Sequence, residues 1–253
     1  MRLSLALGLL LFFFGGIKEK NMIFDKSISP TIMTTSNKKE ITGTGAFFKT
    51  HKVNDYLYYH FIVSCDHTIS YRMFVKNYKY ENKKFLRQET SHAATILWSN
   101  KKDDVSILMS VSNRPEPLVE LGKNVNINLL DEVYSVGCGL GDSPRYAEGK
   151  VTGLVKNGPI LDSIRSSIPL VPGDSGCGLY NKKFQLIGIG NSIRQIDFDG
   201  KMVPVEAISV FKSIDLIFDK IKTDQSCNFI FENNSFPEIL PDYLYLLDCQ
   251  FGF

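Results

Sequence analysis

The chain has 253 residues, 43% of them hydrophobic and 22% charged, an ordinary globular composition that can bury one large core or two small ones. Its 29 basic and 27 acidic residues leave a net charge of +2, too balanced for nucleic-acid binding or attraction to an anionic membrane as the main activity. Five cysteines (Cys65, Cys138, Cys177, Cys227 and Cys249) lie scattered without C-x-x-C spacing, which argues against a zinc site or a dense disulfide framework. Cys227 with Cys249 is a candidate bridge across the C-terminal tail.

Met1-Arg2 followed by Leu3 to Phe14 has the form of an export signal: a short positive start, then an apolar run shorter than a membrane span. Export, to a secreted or periplasmic location, is the expectation for residues 1–17. Phe13, Phe14 and Ile17 crowd the small residues that cleavage would need, so an uncleaved anchor attached to a membrane is the alternative, and a buried strand or a start at Met22 the third reading. Residues 18–40 are polar, with Ser29-Pro30 and a Lys38-Lys39-Glu40 end, and read as a linker or arm.

From Ile41 to Leu130 short β-type runs alternate with polar breaks, at 45–48, 56–64, 71–75, 94–98 and 105–111. Such spacing without long helical periods predicts a sandwich or barrel. Tyr71 to Arg87 interleaves Lys and Arg with Tyr and Phe; a hairpin with one wet face is preferred over a nucleic-acid surface. A second strand series follows at 133–136, 150–155, 184–189 and 203–208, with a hairpin turn at Phe198-Asp199-Gly200-Lys201. Ser209 is the expected N-cap of a helix whose apolar face carries Val210, Phe211, Ile214, Ile217, Phe218 and Ile221. The tail, 223–253, holds the glycosylation triplet Asn233-Asn234-Ser235 and an aromatic end, and is expected to pack on the surface.

Gly173-Asp174-Ser175-Gly176-Cys177-Gly178 is a tight polar turn between apolar runs, in which glycines let the backbone approach a carbonyl and aim N–H groups at one point. Upstream, Ile62-Val63-Ser64-Cys65-Asp66-His67 ends an apolar run on a histidine, and Asp104-Val105-Ser106-Ile107-Leu108 starts another on a carboxylate. His51, His60 and His92 lack such a context and are read as surface or structural.

With Thr42-Gly43-Thr44-Gly45-Ala46-Phe47-Phe48 before them, these stretches, in the order His, Asp, Ser, resemble the trypsin-like (chymotrypsin-fold) serine proteases over about residues 40–220. The likeness is nearer to the short bacterial and viral members than to the animal digestive ones. It implies an all-β fold of two antiparallel six-stranded β-barrels of chymotrypsin type, about 41–124 and 125–208, closed by a helix at 209–222. It also implies a serine endopeptidase without metal or cofactor, acting on protein or peptide substrates. Ser175 would be the nucleophile, His67 the base and acid, and Asp104 the orienting acid, preferred over Asp103 because Val-Ser-Ile-Leu follows it. The N–H groups of Gly173 and Ser175 would form the oxyanion hole. Pro169, where trypsins carry the acid that binds basic side chains, implies a preference for apolar or small residues instead. The alternatives are a non-catalytic binding protein on the same fold, or a viral polyprotein-processing protease.

Overall fold

The structure, a computed structural model, describes residues 31–36, 39–69, 73–81, 84–123, 125–141, 144–199, 201–224 and 230. The export signal, the candidate Cys227–Cys249 bridge and the glycosylation triplet lie outside them. No described helix is long and apolar enough to cross a membrane.

The first sheet contains β1 (Thr31–Ser36), β2 (Lys39–Thr44), β3 (Ala46–Asn54), β4 (Leu57–Ser64), β5 (Met73–Glu81), β6 (Lys84–Asn100) and β7 (Val105–Ser112). Its strands are antiparallel, in the order β2-β1-β5-β6-β7-β4-β3. The chain itself joins the two outer strands at Gly45, so the sheet curls round on itself. The expected arm at 18–40 is therefore too long: β1 begins at Thr31 and pairs with both β2 and β5. Its Thr-rich sequence suits a pleated surface, which the neighbouring Pro and Lys residues obscure.

The second sheet contains β8 (Glu120–Leu121), β9 (Glu132–Gly137), β10 (Arg145–Asn157), β11 (Ile160–Ser166), β12 (Gly178–Tyr180), β13 (Gln185–Phe198) and β14 (Lys201–Ser213). Pairing of β12 with both β9 and β13 closes six of these strands into a barrel, to which β8 adds in parallel along β13. β13 and β14 form a hairpin, with Phe198 opposite Lys201 and Asp199 at φ 53. Helix α1 (Ile214–Thr223) follows directly. Its N-cap is Ser213, whose Oγ accepts from Asp215 N at 3.2 Å, not Ser209. Val210 and Phe211 belong to β14, pairing with β11.

Strands at the junction of the two sheets are buried on both faces. Phe61, Val63, Ile107 and Met109 point into a cluster shared with Tyr180, Leu186 and Ile189 of the second sheet and Ile214, Ile217, Phe218 and Ile221 of α1. The alternate residues Ile62 and Leu108 fill the first barrel with Phe47, Met73 and Val75. Each fully buried side chain of this kind contributes roughly 1.5–3 kcal/mol. This double burial explains why β4 and β7 carry consecutive apolar residues, at 61–63 and 107–109, rather than a strict alternation.

Candidate active site

Register brings two of the site residues to one end of the first barrel. Ser64 of β4 lies opposite Ser106 of β7, so the residues after β4 and those before β7 emerge together. His67 sits in a single 3-10 turn (Asp66–Thr68) just beyond β4. Asp104 closes the 101–104 loop between β6 and β7, whose last pair is Asn100 with Val105. Asp104 has φ 53, the left-handed region that costs an L-residue roughly 1 kcal/mol and that Asp tolerates better than most.

Three side chains converge. His67 Nδ1 donates to Asp104 Oδ2 at 2.7 Å, His67 N donates to Asp104 Oδ1 at 2.8 Å, and His67 Nε2 lies 2.9 Å from Ser175 Oγ. Asp103 points elsewhere, which accounts geometrically for the choice between the adjacent carboxylates. The hydrogen bond to Asp104 raises the pKa of His67; burial opposes the rise, and the charges of Asp104 and Asp66 add to it.

The turn that presents Ser175 is tied to the first barrel through one residue. Thr44 N donates to Ser175 O at 2.7 Å, and Thr44 Oγ1 donates to Gly173 O at 2.8 Å while accepting from Cys138 N at 3.0 Å. Gly176, at φ 88, has no alternative: a Cβ there would lie 1.9 Å from Thr44 O and 2.3 Å from Ser64 Oγ. Within the turn, the amides of Asp174, Gly176 and Cys177 donate to Val171 O, Gly190 O and Asp174 O. Those of Gly173 and Ser175 have no acceptor among the described residues.

Beneath the turn, the Asp174 carboxylate is buried and meets the Arg145 guanidinium of β10, which also donates to Pro169 O at 2.9 Å. Val171 N donates to the same carboxylate at 3.0 Å. Gly137 and Gly139 leave room for the pair, since a Cβ at either would press on Asp174 Oδ1.

Sequence reasoning missed three contributors: Thr44, Arg145 and Asn191. Asn191 of β13 donates from Nδ2 to Asp104 Oδ2 at 2.8 Å, supporting the carboxylate from the opposite barrel. Thr44 lies inside the glycine-flanked stretch already singled out, but its partners Cys138, Gly173 and Ser175 are 94 or more residues away. No local pattern marks Arg145 or Asn191.

Cys65 Sγ, a His67 nitrogen and an Asp104 oxygen lie within 4.8 Å of one another. Cys65 donates to Gly190 O at 2.9 Å, and burial pushes its pKa well up, which keeps the thiol protonated. Burial likewise pushes Cys177 up to about 12. Among the other histidines, His60 is buried, with Nε2 2.8 Å from Ser112 Oγ and Nδ1 2.7 Å from Thr50 Oγ1, a structural role. The His92 side chain lies outside the description.

Residues 43–189, more than half of the chain, match the trypsin-like peptidase domain. The chain belongs to this family. Two curated proteins are similar over 103 residues: probable periplasmic serine endoproteases, DegP-like, from Pseudomonas fluorescens (24% identical) and Ectopseudomonas mendocina (27%). The matches cover 40% of this chain and 21% and 22% of those proteins, so this trypsin-like chain spans about a fifth of their length. Among solved structures, the HtrA-type protease AlgW with a tripeptide superposes with TM-score 0.61 at 17% identity, covering 79% of this chain and 60% of that one. A serine endoprotease from Yersinia pestis gives 0.58 at 16%, covering 81% and 65%. These likenesses show the chymotrypsin-like fold.

Proposed function

We propose that the protein is a serine endopeptidase that cleaves peptide bonds through an acyl-enzyme on Ser175. The observation that carries this reading is the line Asp104–His67–Ser175, with contacts of 2.7 and 2.9 Å. His67 Nε2 takes the Ser175 proton as Oγ attacks the scissile carbonyl, and Asp104 holds the Nδ1–H tautomer and stabilises the imidazolium. Negative charge on the carbonyl oxygen is received by the uncommitted amides of Gly173 and Ser175, each such donor being worth roughly 3 kcal/mol in the transition state. His67 then returns the proton to the leaving amine, and water, deprotonated by His67, releases the acyl group.

Extended peptide is the substrate class that the fold relatives support, AlgW having been solved with a tripeptide. A non-catalytic binding role would be favoured by a histidine turned away from the serine, contrary to the 2.9 Å contact. Export is supported by the N-terminal apolar run and by curated relatives described as periplasmic.

The test is covalent labelling. A fluorophosphonate probe should modify Ser175 in the wild type and leave Ser175→Ala unlabelled. Peptide hydrolysis with Ser175 unmodified by the probe would sink the assignment.

A further inference from the structure

Two adjacent carboxylates in the 101–104 loop face opposite ways. Asp104 meets His67, whereas Asp103 turns to the second barrel, with its Oδ1 3.9 Å from Lys212 Nζ of β14 and its Oδ2 3.9 Å from Lys220 Nζ of α1. Lys212 also reaches Asp162 of β11 at 3.4 Å, so two cations and two anions bridge the barrels and the helix. Side-chain exposures of 13% for Asp103 and 18% for Lys212 leave that pair weakly screened by solvent, while Lys220, 41% exposed, sits at the rim of the cluster. From the loop side, Asn100 Oδ1 accepts from Lys102 N and Asp103 N at 3.0 and 3.1 Å, and Asn100 Nδ2 donates to Asp103 Oδ2 at 3.1 Å.

This anchoring matters because the next residue is strained. Asp104 holds a left-handed φ of 53, a conformation that persists in a residue with a Cβ only when its surroundings over-determine it. His67 N, His67 Nδ1 and Asn191 Nδ2 hold the Asp104 carboxylate directly, and the contacts of Asp103 fix the backbone from which it projects.

We propose that Asp103 is a positioning residue: set between Lys212 and Lys220, it ties the loop to the second barrel and holds the Asp104 carboxylate against His67. The proposal rests on the reading of His67, Asp104 and Ser175 as the reacting set. Asp103 itself touches none of the reacting atoms.

Two full-length variants test it: Asp103→Asn, and Lys212→Met combined with Lys220→Met. The first readout is the NMR titration of the His67 imidazole, assigned with His67→Gln; the second is the rate of fluorophosphonate labelling of Ser175. His67 is faced by Asp104, Asp66 and the neutral Cys65 thiol, all unchanged in both variants. Through-space charge alone would move the His67 titration down on losing Asp103 and up on losing the lysines. Loss of positioning moves it down in both.

The expected result is a downward shift in both variants, with labelling slowed about tenfold or more, since a 1 Å misplacement can cost roughly a hundredfold. Shifts of opposite sign, or a titration and labelling rate equal to wild type in either variant, would overturn the proposal. Should Asp103→Asn not fold, the double lysine variant decides, because it keeps both carboxylates. An absence of Ser175 labelling in the wild type would count against the endopeptidase reading, while the titration would still report on the contact.

Discussion

In the proposed mechanism Asp104 has two duties toward His67: it fixes the tautomer, and its hydrogen bond raises the imidazole pKa above its ordinary value. The base must be neutral, so kcat/KM should rise with pH through that raised value and fall away below it. In stability the sign is reversed. The protonated pair stabilises the fold below the ordinary imidazole pKa of about 6.5, and the contribution is lost as pH rises through the folded value. Asp104→Asn should lower kcat by about 10⁴ and move the acid limb downward; a pH profile of kcat/KM checks both, and an unmoved limb would argue that Asp104 does not set the His67 titration. The residues that the structure brings together here were legible because their types, order and apolar flanks are local signals. Arg145 and Asn191 were not, since nothing in their own neighbourhoods marks them, and the role of Thr44 was not, since the residues it ties together at the serine turn are distant in the chain.

At the level of elements, the turn bearing Ser175 depends on a strand that is not its neighbour in sequence. Arg145 of β10 supplies the cation beneath Asp174, whose side chain is only 2% exposed. Arg145→Met would strand that carboxylate in the interior, at a cost of roughly 3–5 kcal/mol. Urea denaturation should show the loss and probe labelling should slow; unchanged stability would mean that Asp174 finds another partner. Strand patterns show why some elements were read and others not. β4 and β7 announced themselves through double burial, whereas β11 (Ile160–Ser166) buries Ser163 and Ser166 and exposes Arg165 between them, and so lacks an apolar alternation. The helix start was misread because Val210 and Phe211 continue a helical spacing that the pairing of β14 with β11 overrides.

For the whole molecule, the shared cluster is the decisive feature. Side chains from both sheets and α1 pack into one shared cluster, so neither barrel covers alone the apolar face it turns to the other. Unfolding should therefore be a single transition despite the two-barrel architecture. Trp98, the chain's one tryptophan, belongs to that cluster and donates to Asp224 Oδ2 at 3.0 Å, which makes its fluorescence a reporter of the junction. Its denaturation midpoint should coincide with that of far-UV circular dichroism; two separated midpoints would show that the barrels melt independently.

The division of the site between the barrels also sets a timetable. His67 precedes Ser175 by 108 residues, a gap that a ribosome at about 5–20 residues per second takes roughly 5–20 s to cross. Asn191, which donates to Asp104, and Lys212 and Lys220, which meet Asp103, emerge later still. In the proposed mechanism a nascent chain thus carries its base and acid before the nucleophile they would activate, and the side chains that hold the 101–104 loop arrive last.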